Sequence, residues 1–110
     1  MRVAFLGGSF DPVHAGHLFI AEVARVELGY DRIVFTPAAR SPHKKAARYA
    51  HPEHRIRMLE LAIGDRTDFS ICDWEVQRGG VSYTVDTVRH VYESMSFDGR
   101  LGLVIGDDLL

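Results

Sequence analysis

Apolar and polar positions alternate along the chain in blocks that predict strands and helices in turn. Residues 2–7 form a short apolar run closed by glycines, which is typical of a strand buried on both faces. Residues 16–28 repeat apolar positions at helical spacing and place Glu22 and Arg25 on one polar face, so they predict a mostly buried helix. The β-branched run at residues 32–36 predicts a second strand and completes a βαβ unit.

The rest of the chain repeats this alternation. Pro52 opens a predicted helix in which Ile56, Leu59 and Ile63 recur at helical spacing. Further elements are predicted as a strand at residues 69–74, a helix capped by Ser82 that runs to about residue 92 with Val85, Val88 and Val91 inward, and a strand at residues 100–105. Strands that alternate with helices predict an α/β fold with a doubly wound, Rossmann-like parallel sheet.

Size and composition narrow the class of protein. A chain of 110 residues that is 46% hydrophobic suits one domain, residues 1–110, without further division. The lone Cys72 cannot form an internal disulfide, and no leader is visible, so we expect a cytoplasmic protein. No apolar run is long enough to cross a bilayer, and a net charge of -2 argues against a nucleic-acid or membrane partner.

The charge is unevenly distributed. Residues 40–57 carry six Lys or Arg residues and one acid, Glu53, although the whole chain has 13 basic and 15 acidic residues. Much of this stretch lies in an aperiodic segment, residues 38–51, which predicts a mobile surface loop. We therefore expect an anion near this part of the chain.

The segment between the first predicted strand and helix, residues 7–17, reads GGSFDPVHAGH. This is the position at which open α/β sheets bind nucleotides. Gly7 and Gly8 allow the backbone to approach a phosphate closely, and the N–H groups at a helix start favour negative charge. The segment contains neither the Gly-x-Gly-x-x-Gly pattern of dinucleotide-binding folds nor the Gly-Lys-Ser/Thr ending of a Walker loop, so those two classes are excluded.

Two histidines in this segment are candidate phosphate ligands. His14 and His17 are three residues apart, so both rings can face one side of the opening helical turn and donate to one oligophosphate. Gly16 leaves space between them. This arrangement suits transfer at a phosphorus atom.

The segment resembles the His-x-Gly-His signature of the nucleotidyltransferase superfamily, and its wider context is similar to bacterial nicotinate-mononucleotide adenylyltransferases. The resemblance continues in order through SPHK at residues 41–44, MLELAI at 58–63, SYTVDT at 82–87 and GDDL at 106–109. Members of that family continue well beyond the point where this sequence stops. The resemblance therefore implies the N-terminal part of such an enzyme, incomplete at its C-terminal side and by itself weak or inactive.

The resemblance implies an activity and a set of site residues. In that family the phosphate of nicotinate mononucleotide attacks the α-phosphorus of ATP, and pyrophosphate leaves with Mg²⁺, giving deamido-NAD without a covalent enzyme intermediate. By resemblance, the catalytic residues are His14 and His17, the ATP-binding residues are Gly8, Ser9, Phe10, His14, His17, Gly106 and Asp108, the phosphate-binding residues are His43 and Lys44, and the mononucleotide-binding residues are Ser82, Tyr83 and Thr84. We expect no metal ligands from the protein itself.

Two alternatives stay open at this point. One is another transferase of the superfamily, for phosphopantetheine or with cytidylyl chemistry, although the SYT block at residues 82–84 argues against it. The other is a non-catalytic nucleotide-binding module. The sequence also leaves homo-oligomerisation open, because the last predicted strand is expected at a sheet edge.

Overall fold

The computed structural model describes residues 1–8, 10, 13–38, 51–79 and 84–105. Within these ranges the elements are β1 (Val3–Gly8), α1 (Ala15–Glu27), β2 (Arg32–Pro37), α2 (Pro52–Ile63), β3 (Phe69–Ile71), α3 (Trp74–Arg78), α4 (Thr84–Ser94) and β4 (Gly102–Ile105). The predicted alternation of strands and helices is confirmed, with one short helix added.

The four described strands form one parallel sheet in the order β3-β2-β1-β4. The chain moves outward from β1 through β2 to β3 and then returns to the other side of β1 with β4. The strand order therefore reverses beside β1, and the carboxyl end of β1 is the topological switch point at which such sheets bind ligands. The order also leaves β4 at an edge of the described sheet, as expected.

Helices cover both faces of the sheet, which confirms the doubly wound prediction. Successive strand residues point to opposite faces, so β1 contributes Ala4 and Leu6 to one core and Val3 and Phe5 to the other. The first core also contains Phe10, Ala21, Ala24, Ile33, Phe35, Leu59, Ile63 and Phe69. On the second face Val3, Phe5 and Val34 are packed by the half-buried side chains of Cys72, Val88, Met95, Phe97 and Leu101.

Helix α1 is less buried than its sequence predicts. Only Ala21 and Ala24 are buried, whereas Phe19 is 69% exposed and Val26 is 58% exposed. Two small residues make a narrow stripe against the sheet with the partly buried Leu18, whereas Phe19 and Val26 turn outward. The prediction of a mostly buried helix is therefore wrong.

The third strand is shorter than predicted. It ends at Ile71, although the backbone N–H of Cys72 still donates to the carbonyl oxygen of Phe35 at 2.8 Å, and Trp74 begins α3 instead of ending the strand. A five-residue helix is too short to show a helical period in the sequence. The alternation of the strand residues therefore predicts a strand that runs on to Trp74.

The inward faces of α2 and α4 also differ from prediction. In α2 the buried positions are Arg55, Leu59 and Ile63, with Arg55 only 1% exposed, whereas the apolar Ile56 is half-buried. In α4 the predicted inward Val85 is 63% exposed, and Thr87 is buried in its place. A stripe drawn from apolar residues alone misses polar side chains whose partners lie on other elements.

The pairing of β4 with β1 is locked by an aromatic ring. A Cβ atom at Gly102 would lie 2.5 Å from both Cζ and the hydroxyl oxygen of Tyr30, so this position has room for glycine alone. The guanidinium of Arg2 lies over the ring of Tyr30, 4.6 Å from its centroid.

Candidate functional site

The connection from β1 to α1 lies at the carboxyl end of the central strand. Gly8 is buried at the end of β1, and its carbonyl oxygen accepts a hydrogen bond from the backbone N–H of Ala38 at 2.8 Å. The ends of β1 and β2 are thereby fixed side by side. Helix α1 begins seven residues after Gly8, at Ala15.

His14 and His17 cap the start of α1 reciprocally. The Nδ1 atom of His14 accepts from the backbone N–H of Gly16, and the Nδ1 atom of His17 accepts from the backbone N–H of His14, both at 3.0 Å. An imidazole whose Nδ1 accepts a hydrogen bond carries its proton, when neutral, on Nε2. Each neutral ring therefore has its donor on the Nε2 atom, and a donor is what a phosphate oxygen requires.

The two imidazoles lie side by side on one side of the first helical turn. Their ring centroids are 3.8 Å apart with a tilt of 31° between the planes. His14 is exposed and His17 is half-buried. The geometry expected from their spacing in the sequence is thus present.

Gly16 is required by the ring of His14. A Cβ atom at position 16 would lie 2.8 Å from Cε1 and 3.0 Å from Nδ1 of His14. Any side chain there would push the ring away from the helix start and break its hydrogen bond. The glycine of the motif therefore allows the reciprocal cap to form.

The side chain of Phe10 packs in the core against His17. Its side chain is 1% exposed and meets the rings of His17 and Phe35 edge-on, at centroid distances of 4.9 and 5.7 Å. Its backbone has φ 49°, in the left-handed region, which costs an ordinary residue about 1–2 kcal/mol. The position of Phe10 in an ATP-binding loop stays a prediction, and its side chain supports His17 from the core.

Arg55 is a residue of the site region that the sequence analysis missed. It is buried on α2, and its Nη1 atom donates to the carbonyl oxygen of Ala38 at 2.7 Å. Ala38 is the last described residue before the predicted basic loop that carries His43 and Lys44. The four-residue spacing of Arg55, Leu59 and Ile63 could have indicated that Arg55 faces inward.

Glu75 and Thr87 form a second unpredicted feature. Glu75 is 8% exposed on α3, and one of its carboxylate oxygens accepts a hydrogen bond from the hydroxyl of the fully buried Thr87 on α4. Burial raises the pKa of Glu75, while the Thr87 hydrogen bond and the charge of Arg78 act against this rise. No local pattern indicates this pair, because its members lie 12 positions apart on two helices.

The remaining site predictions have different outcomes. Thr84 is the first residue of α4, so its backbone lies at a helix start, as the expected mononucleotide role requires. Burial raises the pKa of the Cys72 thiol, in keeping with packing rather than chemistry. The predicted site residues outside the described part of the chain are Ser9, His43, Lys44, Ser82, Tyr83, Gly106 and Asp108.

None of the helices within residues 1–8, 13–38, 51–79 and 84–105 has the length and apolar character needed to cross a membrane. In the same part of the chain there is no group of three or more His, Cys, Asp or Glu side chains placed to hold a metal ion.

Comparison with known proteins gives consistent similarities. A family profile described as cytidylyltransferase-like matches residues 5–110. The chain is 46% identical to a protein of Treponema pallidum over 98% of its own length and 54% of the relative, and 43% identical to one of Herpetosiphon aurantiacus over 99% and 54%. A Desulfitobacterium hafniense protein is 42% identical over 84% of this chain and 44% of the relative. All three are named "Probable nicotinate-nucleotide adenylyltransferase", and the chain spans about half their length.

Proposed function

Because the chain belongs to the cytidylyltransferase-like family, we propose that it is the nucleotide-binding part of a nicotinate-nucleotide adenylyltransferase in the cytoplasm. The enzyme transfers the adenylyl group of ATP to nicotinate mononucleotide, giving deamido-NAD and pyrophosphate in NAD biosynthesis. The observation that carries the proposal is the reciprocal cap of His14 and His17 at the carboxyl end of β1. The names of the relatives support the choice of substrate pair.

The chemistry is a direct displacement at phosphorus. A phosphate oxygen of the mononucleotide forms a bond to the α-phosphorus of ATP, and the bond from this phosphorus to the bridging oxygen of the β-phosphate breaks. The electron pair of the broken bond leaves with pyrophosphate. The protein's contribution is to align the two phosphates and to stabilise the charge that grows on them.

His14 and His17 supply that stabilisation. With both Nδ1 atoms accepting from the backbone, each neutral ring offers its Nε2–H to the triphosphate. The cap fixes both rings before substrate arrives, so little reorganisation is needed. A donor fixed in this way contributes about 3–4 kcal/mol to a transition state of this type.

Mg²⁺ enters this scheme as part of the substrate, MgATP. The ion would be held mainly by phosphate oxygens. When bound, the ion neutralises charge on the departing pyrophosphate. We further assign phosphate contacts to His43 and Lys44, and a place in the ATP loop to Gly8 and Ser9.

The other substrate contacts follow the same proposal. We assign the binding of the nicotinate carboxylate to backbone N–H groups of Ser82, Tyr83 and Thr84, the last of which begins α4. Asp108, with Gly106 beside it, would accept from the ribose hydroxyls of ATP. The proposed partners are therefore two small nucleotides.

Calorimetric titration of the 110-residue chain tests the proposal. We expect binding of MgATP and of nicotinate mononucleotide, with weaker binding of MgCTP and phosphopantetheine. Tighter binding of either of the latter two would contradict the assignment and favour another transferase of the family. In parallel, release of pyrophosphate from ATP and nicotinate mononucleotide by the same chain would exclude a purely non-catalytic binding role.

A further inference from the structure

Three side-chain contacts join helices α3 and α4. The rings of Trp74 and His90 stack at a centroid distance of 4.7 Å with 12° between their planes. Glu75 accepts from the hydroxyl of Thr87, and Nη1 of Arg78 lies 3.7 Å from Oδ2 of Asp86. As the contacts advance along α3 they go back along α4, so the two helices run antiparallel.

The hydrogen bond between Thr87 and Glu75 determines how α3 and α4 are arranged. The Arg78–Asp86 pair is partly exposed, and exposed ion pairs contribute at most about 1 kcal/mol. Thr87 is fully buried and Glu75 nearly so, so this bond forms in a medium that strengthens it and leaves few other geometries. A hydroxyl that donates to a carboxylate is also directional. This bond therefore determines where α4 lies relative to α3.

Helix α3 depends on these contacts for its position. It has five residues, and a helix of that length is not stable by itself in water. Its start is tied to the sheet, because the N–H of Cys72 donates to the carbonyl oxygen of Phe35. The contacts that connect β2 to α4 are therefore made by Cys72, Glu75 and Thr87.

The element held in this way is the one that the proposed function assigns to the mononucleotide. Helix α4 begins at Thr84, and Thr87 lies one turn further along. Fixing Thr87 against Glu75 therefore fixes the direction of the N–H groups at the start of α4. A carboxylate bound there would respond to small rotations of the helix, because hydrogen bonds weaken steeply as they bend.

We infer that Glu75 is a positioning residue for the mononucleotide: through Thr87 it orients the start of α4, without itself touching a substrate. This inference rests on the proposed function. It assigns Glu75 to the binding of one substrate and leaves the binding of MgATP, at the start of α1, independent of it.

A pair of matched variants at position 87 tests the inference. Thr87→Val keeps the shape of the side chain and removes the hydroxyl, whereas Thr87→Ser keeps the hydroxyl. Losing a hydrogen bond to a carboxylate corresponds to a factor of about 10–100, so we expect Thr87→Val to weaken nicotinate mononucleotide binding at least about tenfold. We expect MgATP binding to change by less than about twofold, and Thr87→Ser to stay close to the unaltered chain.

Substitutions at Glu75 provide a second test of the inference. Glu75→Gln keeps an oxygen that accepts from Thr87 and should retain mononucleotide binding. Glu75→Asp keeps the charge but withdraws the carboxylate by one methylene, and it should weaken mononucleotide binding as Thr87→Val does. Trp74 is the only tryptophan of the chain and lies in this helix contact, so its fluorescence reports the contact directly. We expect altered emission in Thr87→Val and Glu75→Asp only.

The outcomes separate the two proposals. If the unaltered chain binds MgATP but not nicotinate mononucleotide, the proposed function fails and this inference fails with it. If the unaltered chain binds both substrates and Thr87→Val and Glu75→Asp bind the mononucleotide equally well, the positioning role alone is overturned. Equal weakening of both substrates in these variants also overturns it, because that result indicates general loss of structure. Circular dichroism of each variant verifies folding, and Glu75→Asp decides the question if Thr87→Val does not fold.

Discussion

The ring of Phe10 meets the imidazole of His17 edge-on, with 4.9 Å between their centroids. Behind Phe10 the same kind of contact continues to Phe35 at 5.7 Å and from there to Phe69 at 5.4 Å. The imidazole of His17 is thus supported by an aromatic row that begins in the core. An imidazole ring supported in this way has fewer orientations available to it than one on a loop.

Phe10→Leu should separate support of His17 from general packing. We expect it to reduce the free energy of unfolding by about 1–2 kcal/mol and to weaken MgATP binding severalfold, because His17 loses its edge contact. Phe69→Leu is the matched control at the other end of the row, and it should lose similar stability without affecting MgATP. Urea denaturation and calorimetry measure both quantities. Identical MgATP affinity in the two variants would show that the Phe10 ring does not support His17.

Gly16→Ala should be harmful although alanine favours helices. Alanine normally stabilises a helix by about 0.5–1 kcal/mol relative to glycine. Here its Cβ atom would lie 2.8 Å from Cε1 of His14, so we expect no such gain and a marked loss of MgATP binding. Ala15→Gly is the control, because it lowers helix propensity without reaching the ring. A Gly16→Ala variant that is more stable and binds MgATP normally would contradict the close packing described above.

Replacement of His17 should lower turnover in any form of the enzyme that is active. We expect at least about a hundredfold loss for His17→Ala, as is typical when one transition-state donor is removed. His17→Gln is the informative partner, because glutamine at this position completes a capping box and so keeps the helix start intact. Both variants should lose turnover, whereas only His17→Ala should lose helix stability. A near-normal rate in either would remove His17 from the mechanism.

Stability should depend on pH through Glu75. Burial raises the pKa of Glu75 above its ordinary value of 4.5, so the folded protein binds the proton more tightly than the unfolded chain does. The resulting stabilisation is complete below pH 4.5 and is lost as the pH rises through the higher folded pKa. Glu75→Gln cannot ionise and should escape this loss, so its stability relative to the unaltered chain should increase over that range. Chemical denaturation at a series of pH values tests this, and a difference that does not vary with pH would contradict it.

The parts of the fold that follow from local pattern were predictable. The buried strands and the helix that carries His14 and His17 have periods visible in a single stretch of sequence. The spacing of the two histidines and the small residue between them, Gly16, also indicated the arrangement of the rings. The chemistry of this turn is local, so the sequence alone indicates its geometry.

The parts that depend on distant partners were not predictable. Arg55 is buried because a backbone carbonyl 17 positions earlier accepts from it. Thr87 faces inward because Glu75 on another helix accepts a hydrogen bond from its hydroxyl. Trp74 fits the predicted strand pattern but begins α3, where its ring stacks on that of His90. A hydropathy pattern assigns charged and polar side chains to the surface, and it contains no information about the tertiary contacts that reverse this assignment.

The phenol of Tyr30 determines the register of β4 against β1. Because it fills the space above Gly102, a shift of β4 by one residue would bring the side chain of Leu101 or Leu103 against the ring. Such a shift would displace the strand by about 3.3 Å, roughly the difference between contact and no contact for a hydrogen bond. With slippage prevented, Ile105 pairs with Gly7, and any segment that follows β4 starts level with the glycine turn of β1.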